Sequence, residues 1–382
     1  MTADLIIRNA RVLLAEGSII DTDLVVEDGV IATVGIQGGS TGIDAGGLLL
    51  LPGIVDLHGD AFERQLMPRP GVHFPLDLAL LETDRQMSAN GITTAFHGLT
   101  CSWEPGLRSR QAAADFLVAL ERIAPDLACA THVHLRHEVY NIDAVDDILA
   151  WIAAGHIRLL AFNDHLPFLQ RKAKTPGKLA AYAERAQVSI AAFEQLMADV
   201  AGRANAIAAS NHRLALAARK RGIALASHDD DTPATRQRYR ELGATLCEFP
   251  TNRETAAAAR AQDSAIILGA PNVVRGGSHT GGLRAVDLVR DGLADVLTSD
   301  YYYPSLLHAA FHLAETGTCS LATAWRLVAL NPARRAGFVD RGEIAVGQRA
   351  DLLLVDDGRP GLARVVTTVV AGRIVYSGHR WS

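Results

Sequence analysis

One pattern constrains this chain more than any other. Between residues 51 and 300, a short apolar run followed by an amphipathic, often alanine-rich stretch recurs eight times. The runs are Ile54–Leu57, Ile92–Phe96, Cys129–Leu135, Ile157–Phe162, Ile223–Ala226, Thr245–Phe249, Ile266–Leu268 and Val296–Leu297. Helical spacing fills the gaps, as in Ala112–Ile123 and Thr255–Ala261, and Gly91, Gly222 and Gly243 stand just before a strand, where a closing helix favours positive φ. Strands alternating with helices predict a parallel sheet covered on both faces. Eight such units in about 250 residues match a (β/α)8, TIM-like barrel, with an open doubly wound sheet as the alternative. Barrels of this kind carry their chemistry at the carboxyl ends of the strands.

The two ends of the chain follow a different rule. Leu5–Leu14, Leu24–Glu27 and Val30–Val34 alternate or run apolar between Gly17, Asp28-Gly29 and Gly35, as short antiparallel strands do. The same grammar returns at Ala350–Val355, Val365–Val370 and Gly372–Tyr376. Neither piece is large enough to bury its own core, so the expectation is an α/β chain in two parts. Residues 1–50 and 340–382 form one composite β-sandwich, and residues 51–339 form the barrel. With 382 residues and 49% hydrophobic content, the chain has material for both. A net charge of −5 argues against a nucleic-acid or anionic-membrane surface. Cys101, Cys129, Cys247 and Cys319 are scattered without CxxC spacing, as in reduced cytosolic proteins. No leader pattern or bilayer-length apolar run is seen, so a soluble, cytoplasmic protein is expected.

The strand ends hold an unusual density of metal-binding side chains. The first reads Leu51-Pro-Gly-Ile-Val-Asp-Leu-His-Gly-Asp-Ala-Phe-Glu63, where a core strand stops at His58 and Asp60. Residues two apart on a strand share a face, which would set these two donors side by side. On the third strand His132, His134, Arg136 and Glu138 share one parity. Glu138 is expected at the mouth, able to reach or bridge metals; His132 and His134 sit deeper and are not taken as ligands. Arg136 either holds a substrate anion or neutralises Glu138. The fourth strand ends in Asn163-Asp-His165 and the fifth in Ser227-His-Asp-Asp-Asp231, which puts His165 and His228 on the same rim. Imidazoles and carboxylates together suit zinc, or manganese or iron. Asp229, Asp230 and Asp231 are expected to orient His228 or face solvent. After the eighth strand, Asp300 in Thr298-Ser-Asp-Tyr-Tyr-Tyr303 is the candidate catalytic base as well as a ligand. His97 ends the second strand with its role open.

Two further segments speak to anions. Gly269-Ala-Pro-Asn-Val-Val-Arg-Gly-Gly-Ser-His-Thr-Gly-Gly282 offers backbone N–H groups beside Arg275, Gly276, Gly277, Ser278 and His279. It follows the seventh strand, where these barrels often bind phosphate, and no GKS or GKT makes it a P-loop; an unliganded turn is the plain alternative. The connection from Leu166 to Arg221 exceeds one crossover helix and opens with Arg171, Lys172, Lys174 and Lys178. It reads as a lid or binding segment, or as a solvated helix face.

Taken together, these motifs resemble the amidohydrolase superfamily over nearly the whole chain, including Asn331-Pro-Ala333 and the return Gly342-Glu-Ile-Ala-Val-Gly-Gln-Arg-Ala-Asp-Leu352. Most members carry His-x-His on the first strand, whereas here it is His58-Gly-Asp60. That departure resembles one branch, the α-D-ribose 1-methylphosphonate 5-triphosphate diphosphatases of the carbon–phosphorus lyase pathway. Asp56-Leu-His-Gly-Asp-Ala-Phe-Glu-Arg64, Pro68-Arg-Pro70, Asn90-Gly-Ile-Thr-Thr94, His134-Leu-Arg-His-Glu138, Ala224-Leu-Ala-Ser-His-Asp-Asp230, Gly269–His279 and Ser299-Asp-Tyr-Tyr302 carry it. The resemblance implies a hydrolase of phosphonate catabolism that releases pyrophosphate and leaves the 5-phosphate. It implies metal ligands His58, Asp60, Glu138, His165, His228 and Asp300, holding two divalent ions per chain, zinc before manganese or iron. The triphosphate would be met by the Arg275–His279 segment, with Arg64, Arg69, Arg136 and Lys172 or Lys174 as further contacts. A small phosphorylated substrate and a homodimer complete the expectation. The alternatives are hydrolysis of a cyclic amide or deamination of a nucleobase on the same barrel, or a metal-free scaffold.

Overall fold

The computed structural model describes residues 5–36, 42–175, 177–277 and 283–379. All eight expected runs are strands of one parallel sheet, in sequential order: Ile54–Gly59, Ile92–Cys101, Ala130–Glu138, Leu159–Asn163, Ala224–His228, Leu246–Glu248, Ala265–Gly269 and Val296–Thr298. A parallel bridge between Gly59 and Asp300 closes the sheet into a barrel. The first strand contributes Val55 and Leu57 to the barrel interior, where Phe96, Leu159, Ala161, Ala226, Leu246, Ile267 and Val296 meet them. Residues of the other parity, such as Ile54, Ile92, Ile266 and Leu268, pack outward against helices. The floor of the barrel is stopped by Phe338, over which the guanidiniums of Arg158 and Arg341 stack at 4.9 and 4.3 Å.

The helices follow from their pattern. Arg110–Ile123 starts where the Ser109 hydroxyl accepts from the Ala112 N–H at 3.1 Å, a side-chain N-cap. It buries Ala113, Phe116, Leu117, Leu120 and Ile123, one stripe at helical spacing. At about 1.5–3 kcal/mol for each large apolar side chain taken from water, this stripe outweighs the weak intrinsic propensity of its residues. The long connection after the fourth strand is helical, Leu166–Ala173, Ala180–Arg185, Ile190–Ala201 and Ile207–Lys220. Its Leu166, Leu169, Phe193 and Met197 form a satellite core.

The terminal segments form a second, mixed sheet. Its order is Arg373–Ser377, Arg364–Val370, Leu352–Asp356, Leu49–Pro52, Leu5–Leu13, Ile19–Glu27 and Val30–Ile36, with Ile43–Asp44 beside Leu5–Leu13. Its two faces are served by alternate residues. Leu50, Leu352, Leu354 and Val366 bury into the sheet's own core, while Leu49, Leu51, Leu353 and Val365 pack against the barrel. The short strand Leu49–Pro52 pairs with both termini and leads through Gly53 directly into the first barrel strand. A Cβ at Gly53 would stand 2.3 Å from the Thr93 hydroxyl, so only glycine fits at that crossing. Among the described residues, no helix is long and apolar enough to cross a membrane.

Candidate metal centre

Closing the barrel is what assembles the site. The Asp300 N–H donates to the His58 carbonyl and the Asp60 N–H to the Asp300 carbonyl, each at 2.8 Å. The seam between first and eighth strands therefore sets His58, Asp60 and Asp300 together, and their ligand atoms lie within 4.8 Å of one another. A register irregularity between Asp56 and Gly59 marks a bulge at this strand end, a device that re-aims side chains. Buried Asp56 holds the bulge by accepting from the Ser299 N–H at 3.0 Å and the Ser299 hydroxyl at 2.5 Å. A Cβ on Gly59 would meet the Asp56 carboxylate at 2.8 Å. Burial pushes Asp56 up to about 6. Burial, with the Asp60 carboxylate close by, pushes Asp300 up to about 7.

A second group joins His165, His228 and Asp229. Asp229 is exposed, as one of its two expected readings has it, and its carboxylate also lies 3.6 Å from His165 Nε2 and 3.9 Å from His228 Nε2. Glu138 pairs with His165 Nδ1. Burial alone would lower His165, but Glu138 and then Asp229 outweigh it and push it up to about 10. Burial raises Glu138, but His165 and then Arg136 outweigh it and hold its carboxyl below the usual range, while the direct partner of Arg136 is another carboxylate. Its guanidinium donates to Asp60 Oδ2 at 3.0 Å and sits 3.4 Å from His228 Nε2.

The third group is His58, His134 and Glu248, sealed inside the barrel. Glu248 is a residue the strand pattern passed over. Its oxygens lie 3.3 Å from His58 Nδ1, 3.2 Å from His228 Nδ1 and 3.6 Å from His134 Nε2. Burial works against its charge, yet His134 and His58 outweigh it and hold the carboxyl well below the ordinary range. Burial keeps His58 down to about 4 and His134 down to about 3, so both stay neutral at neutral pH. The signal was available: Glu248 is the lone charge in the apolar run Thr245–Phe249. Arg108 was likewise missed; it grips Glu63 with two hydrogen bonds at 2.8 and 2.7 Å and approaches Asp60 at 3.9 Å.

Three residues at these strand ends adopt positive φ without being glycine: Asp229 at 55°, Phe249 at 51° and Asp300 at 55°. Left-handed backbone costs a non-glycine residue roughly 1–2 kcal/mol. That cost falls on the residues that follow His228, follow Glu248 and close the barrel seam.

The expected anion contacts are spread more widely. Arg64 donates to the Tyr301 carbonyl, and Arg275 Nη1 reaches the Tyr301 hydroxyl at 3.2 Å; both arginines are exposed. The glycine-rich segment is not a loop from its start, because Ala270–Arg275 forms a helix that ends at Gly276, with Gly277 after it. The proline after Gly269 sits in the helix's first turn, where no N–H is needed, which explains the difference. Ser278 and His279 lie outside the described residues. Arg69 is exposed, in a backbone bridge with Val72. Lys172 donates to the Tyr182 hydroxyl at 2.8 Å and stacks over Phe168, within the helical insertion; Lys174 belongs to the same insertion.

The donor set fits a divalent metal. His58 Nε2 is buried and has no partner, beside two carboxylates in a neighbourhood of imidazoles. Solved structures share the architecture. An amidohydrolase crystal structure superposes with a TM-score of 0.67 at 15% identity, covering 98% of this chain and 99% of the other. L-Hydantoinase (dihydropyrimidinase) from Arthrobacter aurescens gives 0.64 at 17%, covering 100% and 98%. Identities this low speak to fold alone, and the fold is that of these amidohydrolase and hydantoinase structures. No family model matches the chain. Its sequence is 33% identical over 364 residues, 92% of this chain and 94% of the relative, to alpha-D-ribose 1-methylphosphonate 5-triphosphate diphosphatase of Escherichia coli (strain K12). The chain belongs to that diphosphatase family. Adenine deaminase of Methylobacterium sp. (strain 4-46) is 29% identical over 98% of this chain, which spans only 58% of that relative's length.

Proposed function

We propose that this chain hydrolyses α-D-ribose 1-methylphosphonate 5-triphosphate to the 5-phosphate and pyrophosphate, with a divalent metal at the barrel mouth. The observation that carries the reading is the convergence of His58, Asp60 and Asp300 in a chain 33% identical to the Escherichia coli diphosphatase across nearly both lengths. His58 Nε2 with the Asp60 and Asp300 carboxylates would hold the ion, and the ring of His228 lies 5.5 Å from that of His58. Zinc suits this mixture of imidazole and carboxylate. The bound ion supplies Lewis acidity for charge developing on a phosphoryl oxygen.

The protein's own groups supply the rest. Water attacks the α-phosphorus, the bond from that phosphorus to the bridging oxygen breaks, and pyrophosphate leaves with the electron pair. Asp300, held at the barrel seam beside Asp60 and His58, is placed to take the attacking water's proton. Arg64 and Arg275, both anchored on Tyr301 next to Asp300, offer guanidiniums for the triphosphate chain. Glu248 fixes the rings of His58 and His228 from behind.

Phosphorus NMR of the purified, metal-loaded protein with the ribose phosphonate triphosphate tests the proposal. Pyrophosphate and the 5-phosphate should appear together. Ammonia from adenine or ring opening of a dihydropyrimidine, without pyrophosphate release, would replace it with the deaminase or cyclic-amide reading.

A further inference from the structure

We infer that the guanidinium of Arg136 is a built-in second cation of this centre, so that the chain takes one divalent ion, on His58, Asp60 and Asp300, and not two. The inference rests on the metal-dependent reading above and refines it. A carboxylate can only accept hydrogen bonds, so the His228 Nδ1 that faces Glu248 at 3.2 Å carries the hydrogen. The lone pair of that ring is therefore on Nε2, and Nε2 is the atom 3.4 Å from Arg136 Nη2. An ion held by His165, His228 and Asp229 needs the same lone pair. His165 meanwhile turns Nδ1 to Glu138 and Nε2 to Asp229.

The same guanidinium takes one oxygen of Asp60, at 3.0 Å, with Arg108 behind it at 3.9 Å. Asp60 keeps its other oxygen for one ion. His58 presents the opposite case: its Nδ1 faces Glu248, by the same logic as a donor, and its Nε2 is buried with no hydrogen-bond partner among the described residues. One imidazole is thus ready for metal and the other is already occupied by an arginine. Arg136 is only 6% exposed, so solvent screens its charge little. Its position on the inward parity of the third strand, between Asp60 and His228, gives it compensation that it would lose if a dication displaced it. A fixed monocation supplies the positive charge that a second metal would bring to a phosphoryl-transfer site, with N–H donors besides, and without an exchangeable ion.

The count of bound ions decides the matter. Metal-free protein is reloaded with excess manganese(II), desalted, and analysed for manganese per chain and by electron paramagnetic resonance. The wild type should retain one ion with the spectrum of an isolated centre. Arg136→Met should retain two with a spin-coupled spectrum, and Arg136→Lys, which keeps the charge, should stay at one. Two ions in the wild type, or a methionine variant that still takes one, overturn the inference and leave the metal-dependent reading standing. No retained ion in the wild type overturns both. The wild-type and lysine counts decide by themselves if the methionine variant does not fold.

Discussion

Replacing Glu248 by glutamine tests the centre at the point where its electrostatics converge. The wild-type carboxylate presents acceptor oxygens to both His58 Nδ1, at 3.3 Å, and His228 Nδ1, at 3.2 Å. A glutamine amide in the same place has one accepting oxygen and one donating nitrogen. One of the two rings then loses its acceptor and is driven toward the other tautomer, with its hydrogen on Nε2. If that ring is His58, the lone pair destined for the metal disappears. If it is His228, the contact with Arg136 becomes donor against donor. Loss of an outer partner to a metal-binding histidine typically costs 10–100-fold in affinity, about 1.4–2.7 kcal/mol. Glu248 serves two rings at once and is fully buried, which sets the expectation at the upper end of that range. Competition titration against a zinc chelator reads the affinity directly, and circular dichroism reports whether the barrel is intact. A folded Glu248→Gln protein with wild-type zinc affinity would refute the reasoning.

Other outcomes follow from the same geometry. Asp300→Asn should lower kcat about 10²–10⁴-fold, the usual worth of a general base, while elemental analysis still finds metal; turnover near that of the wild type would remove Asp300 from proton transfer. Arg275→Ala should raise KM for the triphosphate and leave kcat nearly alone, and an unchanged KM would reject Arg275 as an anion contact. The pH dependence of stability carries a further test. His97 is buried beside Phe62 and Phe116, and burial holds it down to about 4. The unfolded chain takes up a proton at this residue near pH 6.5 that the folded chain refuses. The stabilising contribution is complete above that pH and shrinks as pH falls from about 6.5 toward 4. Urea unfolding of metal-free protein across this window should give a slope that His97→Phe reduces by up to about 1.4 kcal/mol per pH unit. An unaltered slope would show that His97 does not stay neutral in the fold.

The barrel was legible because its eight apolar runs and its closing glycines are local signals, and each run is a strand. Strand ends were less legible: His58, Gly59 and His228 still belong to the sheet, since polar residues at a barrel mouth keep extended backbone where periodicity has already failed. The resemblance named His58, Asp60 and Asp300 within one set of six, and barrel closure, which follows from the strand count, is what brings these three to one place. Glu248 left one local signal, its lone charge in the run Thr245–Phe249, but no periodic trace, because its strand is three residues long. Arg136 illustrates a different limit. Its parity placed it on the inner face, but parity says nothing of which carboxylate a long side chain will choose, and it chose Asp60 over Glu138. After Gly269 the chain is helical to Arg275 where its glycines suggest a turn, because Pro271 opens a helix there.

The left-handed residues at the rim bear on how this protein can be improved. Glycine at Asp229, Phe249 or Asp300 would relieve backbone strain of roughly 1–2 kcal/mol at each position. Selection for heat tolerance alone therefore has two inviting substitutions within reach, at Asp229 and Asp300; at Phe249 the ring that lies 5.1 Å from His58 and 5.2 Å from His228 would be lost, which costs more than the relief. Both inviting substitutions delete a carboxylate of the rim. A library screened only for survival of heating should drift toward hardy, inert barrels, and one screened also for turnover should retain both residues.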